Sequence, residues 1–321
     1  MEGMLWTECA DRASGGHDLP PAYPEGGVMI RASDLFMEYE NSDFRQPDET
    51  EAGRPLRFPD PAPSSLEGFS VSAAEGGDGG YHSLFCGAIW LDPPGVRRRF
   101  VRALTRLLVQ YRRRAGAPRQ GPFLVCGVGN ENAAADALGP RAVSRVLSTD
   151  PFMREAGLPA VCTMKTGVPR QTGIDTADLV SALAERTGAA LIVTVDSLCA
   201  RGGSRLGTVA QVTDCGLIPG SALRHSSGEI SRRTMPCPVL SVGVPTVVRA
   251  SALNERAPAD GNIPSSAGAS ADGAADDLPL FVSRADTDAM VACYASLIAR
   301  AVNAAFTGNP PEDVMDLPDG A

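Results

Sequence analysis

The run Ala190-Leu191-Ile192-Val193-Thr194-Val195-Asp196 constrains this chain more than any other segment. Successive apolar and β-branched residues with no polar face suit a strand covered on both sides, and such strands belong to parallel sheets with helices on each face. The run closes on a carboxylate, and open α/β sheets place their sites at the carboxyl ends of the strands. Phe123-Leu124-Val125-Cys126-Gly127-Val128-Gly129-Asn130 has the same character: a buried strand, a glycine turn, then passage through Asp136 into a helical stretch from about Pro140 to Leu147. A further unit joins a strand near Ala160 to Met164, a loop from Thr166 to Gly173 and a helix from about Thr176 to Arg186. Thr208 to Thr213 and Val239 to Val244 read as two more strands. This alternation predicts an α/β fold with a mainly parallel or mixed sheet flanked by helices.

Two longer helices complete the core. Val96, Phe100, Val101, Leu104, Leu107, Leu108 and Tyr111 recur at three- and four-residue spacing with arginines between them, and Ala285 to Phe306 carries the same period before Gly308 and Pro310 stop it. Elsewhere the composition thins. Residues 1–90 are rich in Gly, Pro, Ser and acidic side chains and cannot supply a continuous core, although Val28-Met29-Ile30 and Leu35-Phe36-Met37 are apolar clusters able to dock or add an edge strand. The expected organisation is an irregular segment over 35–90 that packs on or near the core, an α/β core over 91–253, a low-complexity insertion over 254–280, a closing helix over 281–307 and a tail over 308–321.

Charge and residue usage exclude several functions. Basic residues number 29 and acidic residues 38, so 29 − 38 gives −9, which argues against direct nucleic-acid binding. The 8 cysteines include no Cys-x-x-Cys pair, which removes zinc ribbons and thioredoxin-like motifs. The 3 histidines, His17, His82 and His225, lack helical i, i+4 spacing, so no histidine-rich metal site is expected. No basic segment leads into an apolar run at the N-terminus, and no stretch approaches the roughly 18–20 apolar residues of a membrane span. A cytosolic protein with reduced thiols is expected.

Two aspartates fall where strand ends are expected, Asp136 and Asp196. Parallel strands bring their carboxyl ends to one crevice, so carboxylates sixty residues apart can converge there and divide into an acid and a base. Such a pair can activate water against a peptide carbonyl and protonate the leaving amine. The same spacing also suits helix N-caps or ion pairs with Arg141 and Arg201. Gly127-Val128-Gly129 lacks the third glycine of a dinucleotide loop, since position 132 is Asn132, and no Gly-Lys-Ser/Thr occurs. Cys126, Cys162, Cys199 and Cys237 lie in or beside apolar runs, as small core residues do. Neither a cysteine–histidine pair nor a serine elbow is evident.

The residues also resemble a known family. Cys126-Gly127-Val128-Gly129-Asn130 followed by Ala135-Asp136-Ala137-Leu138-Gly139-Pro140-Arg141 is similar to the Gly-x-Gly-Asn and Pro-Asp-Ala-Leu-Gly-Pro signature of the germination protease family. Gln171-Thr172-Gly173-Ile174-Asp175-Thr176, Thr194-Val195-Asp196-Ser197-Leu198-Cys199-Ala200-Arg201, the block Gln211 to Ser221 containing Asp214, and Val242-Gly243-Val244-Pro245-Thr246-Val247-Val248 resemble its later motifs in order. The likeness is dense over about 122–252 and loose over 281–307.

The resemblance implies a fold like that of hydrogenase maturation peptidases and an endopeptidase that degrades small acid-soluble spore proteins during germination. It places the two catalytic aspartates on Asp136 and Asp196, with Gly127, Gly129, Asn130, Thr172, Gly173, Arg201, Asp214 and Pro245 in the supporting loops, and requires no cofactor or metal. It further implies a zymogen: Ile30-Arg31-Ala32-Ser33-Asp34-Leu35-Phe36-Met37-Glu38 is similar to the family's processing segment, so cleavage is expected between Asp34 and Leu35 and residues 1–34 form a propeptide. A homotetramer in the cytoplasm, specifically the spore core, is implied as well, with no membrane or nucleic-acid partner. Departures are Ser197 and Cys199 in place of alanines, Ile218 where histidine is frequent, and a simple insertion over 254–278. The alternatives are a nickel-guided processing peptidase of the hydrogenase maturation type and a non-catalytic α/β binding protein.

Overall fold

The computed structural model describes residues 65–76, 79–200, 202–221, 228–253 and 280–307. Among them, nine strands form one sheet: β1 (Ser65–Leu66), β2 (Phe69–Gly76), β3 (Gly79–Phe85), β4 (Phe123–Val128), β5 (Val161–Gly167), β6 (Leu191–Ala200), β7 (Val209–Thr213), β8 (Val239–Arg249) and β9 (Phe281–Val282). Their order is β1-β2-β3-β7-β8-β6-β4-β5, with β9 on β8. Strands β5, β4, β6 and β8 run parallel, while β7, β3, β2 and β1 continue the sheet antiparallel. The expected α/β fold with a mixed sheet is the one the chain adopts. The helices are α1 (Pro94–Arg114), α2 (Leu138–Val143), α3 (Phe152–Glu155), α4 (Pro169–Thr172), α5 (Thr176–Thr187) and α6 (Thr287–Phe306).

Side-chain alternation assigns the layers. Along β4, Phe123 and Val125 join the core formed with α1, α2 and α6, and Leu124 and Cys126 join the core formed with α5. Strand β6 does the same, with Leu191, Val193 and Val195 on the first side and Ile192 on the second. Helix α1 starts on Pro94, where a missing N–H costs nothing, and buries Phe100, Leu104, Leu108 and Tyr111 at helical spacing. Helix α5 is capped by Asp175, whose carboxylate accepts the Ala177 N–H, and ends at Gly188 in the left-handed region.

Three features differ from the sequence reading. Residues 65–76 and 79–85, taken as part of an irregular segment, carry the antiparallel strands β1 to β3, because Tyr81 to Phe85 find a ready partner in β7. Strand β6 does not end at Asp196 but runs on to Ala200, since β8 stays paired with it that far. Helix α6 is by length and composition apolar enough to cross a membrane. Its Met290, Tyr294, Ile298, Val302 and Phe306 are nevertheless buried with α1 and the sheet, so the hydropathy serves a core face.

Helix α2 lies unusually close to the sheet. A Cβ on Gly127 would strike the Gly139 carbonyl, and one on Gly139 would strike the carbonyls of Val195 and Val128. These neighbours are backbone and cannot swing aside. Gly127→Ala and Gly139→Ala are each expected to cost on the order of 3 kcal/mol or more, enough to abolish soluble expression or lower Tm by about 10 °C. Gly95→Ala in α1, where a Cβ meets nothing within 4 Å, should leave stability unchanged or raise it by at most about 1 kcal/mol, so that Tm does not fall. Thermal melts of the three variants check this.

Candidate active site

Strand β4 ends at Val128, and the turn that follows folds back on itself. The Asn130 N–H donates to Asp136 Oδ2 at 2.8 Å. The Ala133 N–H donates to the Asn130 carbonyl at 3.1 Å, and the Asp136 N–H donates to the Ala133 carbonyl at 2.8 Å. Asp136 is thereby seated in a short 3-10 turn, Ala134–Asp136, directly above the strand end. Gly129 makes this possible, with φ at +116° and no room for a side chain, because a Cβ there would meet the Asp136 backbone and carboxylate.

Asp196 stands on the neighbouring strand. Strand β6 pairs with β4 as far as Gly127 opposite Val195, so Asp196 is the first β6 residue beyond that ladder. Its Oδ1 accepts the Ser197 N–H at 2.7 Å, and its partner across β8 is Gly243, where a Cβ would collide with the Leu198 side chain. The turn bearing Asp136 packs on β6 and β8, and the hydroxyl of Thr246, 1 % exposed, donates to the Ala135 carbonyl. Both carboxyl groups therefore lie at the carboxyl end of the parallel strands, one at the tip of β4 and one on β6 beside it.

Burial dominates the electrostatics. Loss of water around Asp136 pushes its carboxyl from an ordinary 3.8 up to about 6, against the opposing pull of the Asn130 N–H. The leading cause is burial rather than a neighbouring charge. The thiols of Cys86 and Cys126 are pushed up to about 12, again by burial, which leaves them protonated and inert at neutral pH. Among the described residues no cysteine is in a disulfide, and Cys199 is buried like Cys126. Among the described residues no group of three or more His, Cys, Asp or Glu could hold a metal ion.

The other nominated residues divide. Gly127, Gly129 and Asn130 build the Asp136 turn. Pro245 lies in β8 opposite Leu198, next to Thr246, and its carbonyl accepts the Gly207 N–H. Thr172 and Gly173 close the turn from α4 into α5, Gly173 at φ +70°. Asp214 is elsewhere: it follows β7 near the start of β8, where it accepts the Gly80 N–H at 2.6 Å and pairs with Arg114 at 3.2 Å, both side chains largely buried. It fastens α1 to the antiparallel strands. Arg201, Asp34 and Leu35 lie outside the described residues. Sequence reasoning missed Thr246, Gly139 and Gln171 as neighbours of the Asp136 turn; the glycine-to-backbone approach of α2 has no signal in composition, and Gln171 reaches the turn only through tertiary structure.

These features define a mixed α/β protein with two acidic side chains at the carboxyl end of its parallel strands. Residues 72–257 match the family model described as germination protease, more than half of the chain. The chain belongs to the germination protease family. Germination proteases of Bacillus cytotoxicus and Bacillus cereus are each 32 % identical to it over 178 residues, which is 54 % of this chain and 48 % of theirs. The chain thus spans about half the length of the curated relatives it matches. A solved structure of a NiFe hydrogenase maturation protease, HycI from Thermococcus kodakarensis, aligns with 39 % of this chain and 74 % of that one at 18 % identity and a TM-score of 0.27.

Because the folded state holds the Asp136 proton more tightly than the unfolded chain does, stability present below pH 3.8 is lost as pH rises through about 6. Asp136→Asn removes that loss while keeping an oxygen for the Asn130 N–H. The variant should match wild type in Tm at pH 4 and exceed it by about 2–4 °C at pH 7.5. Melts across this range check the sign.

Proposed function

We propose that this chain is an endopeptidase that degrades small acid-soluble spore proteins during germination, with Asp136 and Asp196 activating water. The observation that carries the proposal is a carboxyl at the tip of β4 that burial keeps protonated into the near-neutral range, on the strand next to a second carboxyl. Family membership supports the reaction and the substrate class. In this reading Asp196 is the general base: it takes a proton from water as the oxygen bonds to the scissile carbonyl carbon. Asp136 is the general acid, giving its proton to the departing nitrogen as the C–N bond breaks. Proton transfer between the carboxyl groups and solvent then restores both. No side chain forms a covalent intermediate and no metal takes part. The protein is made as a zymogen cut between Asp34 and Leu35, acts as a homotetramer, and works in the cytoplasm of the spore.

A carboxyl that titrates near 6 is mostly protonated at pH 5 and mostly ionised above pH 7, so kcat/KM should fall about tenfold per pH unit above 6.5. Asp136→Asn and Asp196→Asn should each lose at least about 100-fold in activity on an extended polypeptide substrate. Incubating the full chain at pH 5.5 and reading new N-termini by mass spectrometry should give Leu35 in wild type and not in Asp196→Asn. Undiminished proteolysis in either aspartate variant would sink the mechanism, and activity abolished by exhaustive chelation would transfer support to metal-guided processing.

A further inference from the structure

The turn that seats Asp136 is closed by its own hydrogen bonds, but it is oriented from outside. The Asn130 side-chain oxygen accepts two donors, the Asn132 N–H at 3.0 Å and Gln171 Nε2–H at 2.8 Å. The first is local. The second crosses from another part of the fold, since Gln171 lies in α4 after β5. The register explains how it arrives there: β5 carries one extra residue where Lys165 opposes Gly127 and Gly167 opposes Val128, and Gly167 at φ +64° then turns the chain into α4 beside the β4 tip. A continuous path results, from Gln171 to the Asn130 side chain, and from the Asn130 backbone N–H to Asp136 Oδ2.

We infer that Gln171 is a positioning residue for Asp136, acting through Asn130. Its hydrogen bond is to Asn130 and not to Asp136 itself. Its role is to hold the Asn130 peptide in the one orientation that aims an N–H at the Asp136 carboxyl oxygen. The inference rests on the proposal that Asp136 transfers a proton during catalysis. A second link joins the same two segments, the ion pair of Lys165 with Glu131 at 2.8 Å, but its side chains are 46 % and 55 % exposed and it is not continuous with the Asp136 hydrogen bond. Exposed pairs of this kind contribute little. Gln171 is itself exposed, so its truncation opens no hole in the core.

Gln171→Ala in the full chain tests this with Lys165→Met as the comparison. With the side-chain tether gone, the Asn130 peptide samples other orientations and its N–H exchanges with solvent at least about threefold faster in Gln171→Ala, with Tm unchanged. Weaker donation to the carboxylate also raises the Asp136 pKa, so the alkaline limb of the pH–rate profile moves up while kcat falls about three- to tenfold at unchanged KM. Lys165→Met should change none of these. Exchange at Asn130 that is less than threefold faster, or faster exchange with kcat and the alkaline limb unmoved, overturns the inference. If neither wild type nor variant cleaves polypeptides and only the exchange changes, the tether stands and the peptidase reading is what fails.

Discussion

Gly127 and Gly139 let a helix start lie directly against two parallel strands, and the geometry of the site follows from that contact. With the Gly139 peptide pressed onto Val128 and Val195, the start of α2 is held against the end of β4, and Asp136 lies in the short connection between them. Residues 131–134 of that connection face solvent, and Ala135 and Asp136 are half-buried where it returns to α2. Close packing of backbone on backbone is unforgiving, because no rotamer can relieve a clash. It therefore fixes the position of a side chain more firmly than a hydrogen bond at the surface could.

Burial then gives the fixed carboxyl its chemistry. An aspartate at a strand end in open solvent would be ionised well below neutral pH and could only accept protons. At the tip of β4 the carboxyl keeps its proton until about pH 6, opposed but not overcome by one backbone N–H. Asp196 lies on the neighbouring strand, which continues past β4, and has its own local hydrogen bond from the Ser197 N–H. The two groups are thus held by different devices, one by a folded-back turn and the other by an uninterrupted strand. The division of labour proposed for them, one acid and one base, needs such a difference in surroundings.

Much of this was legible in the residues. Strands β4 and β6 are apolar on both faces and so declared a parallel sheet, and α1 and α6 declared themselves by period. Strands β2 and β3 did not: Phe69-Ser70-Val71-Ser72 does alternate, but serines and glycines supply too little apolar surface to stand out, and pairing with β7 and α1 decides their form. Asp196 was nominated because it follows the apolar run Leu191 to Val195, and Asp136 because it follows the glycine turn after Phe123 to Val128. Asp214 was nominated by family likeness and proves to anchor Arg114 and Gly80, a role set by where β7 ends in the sheet. Gln171 was invisible, since its partner lies 41 residues away and only the irregular β4–β5 register brings them together.

The most direct test of the account is a carbon-13 titration of the side-chain carboxyls of the wild-type protein, with the Asp136 resonance assigned. The account requires that resonance to titrate near pH 6, well apart from the surface aspartates. A midpoint for Asp136 near 3.8 would mean that the carboxyl is solvated and ionised like any other, and the acid it is said to provide would not exist.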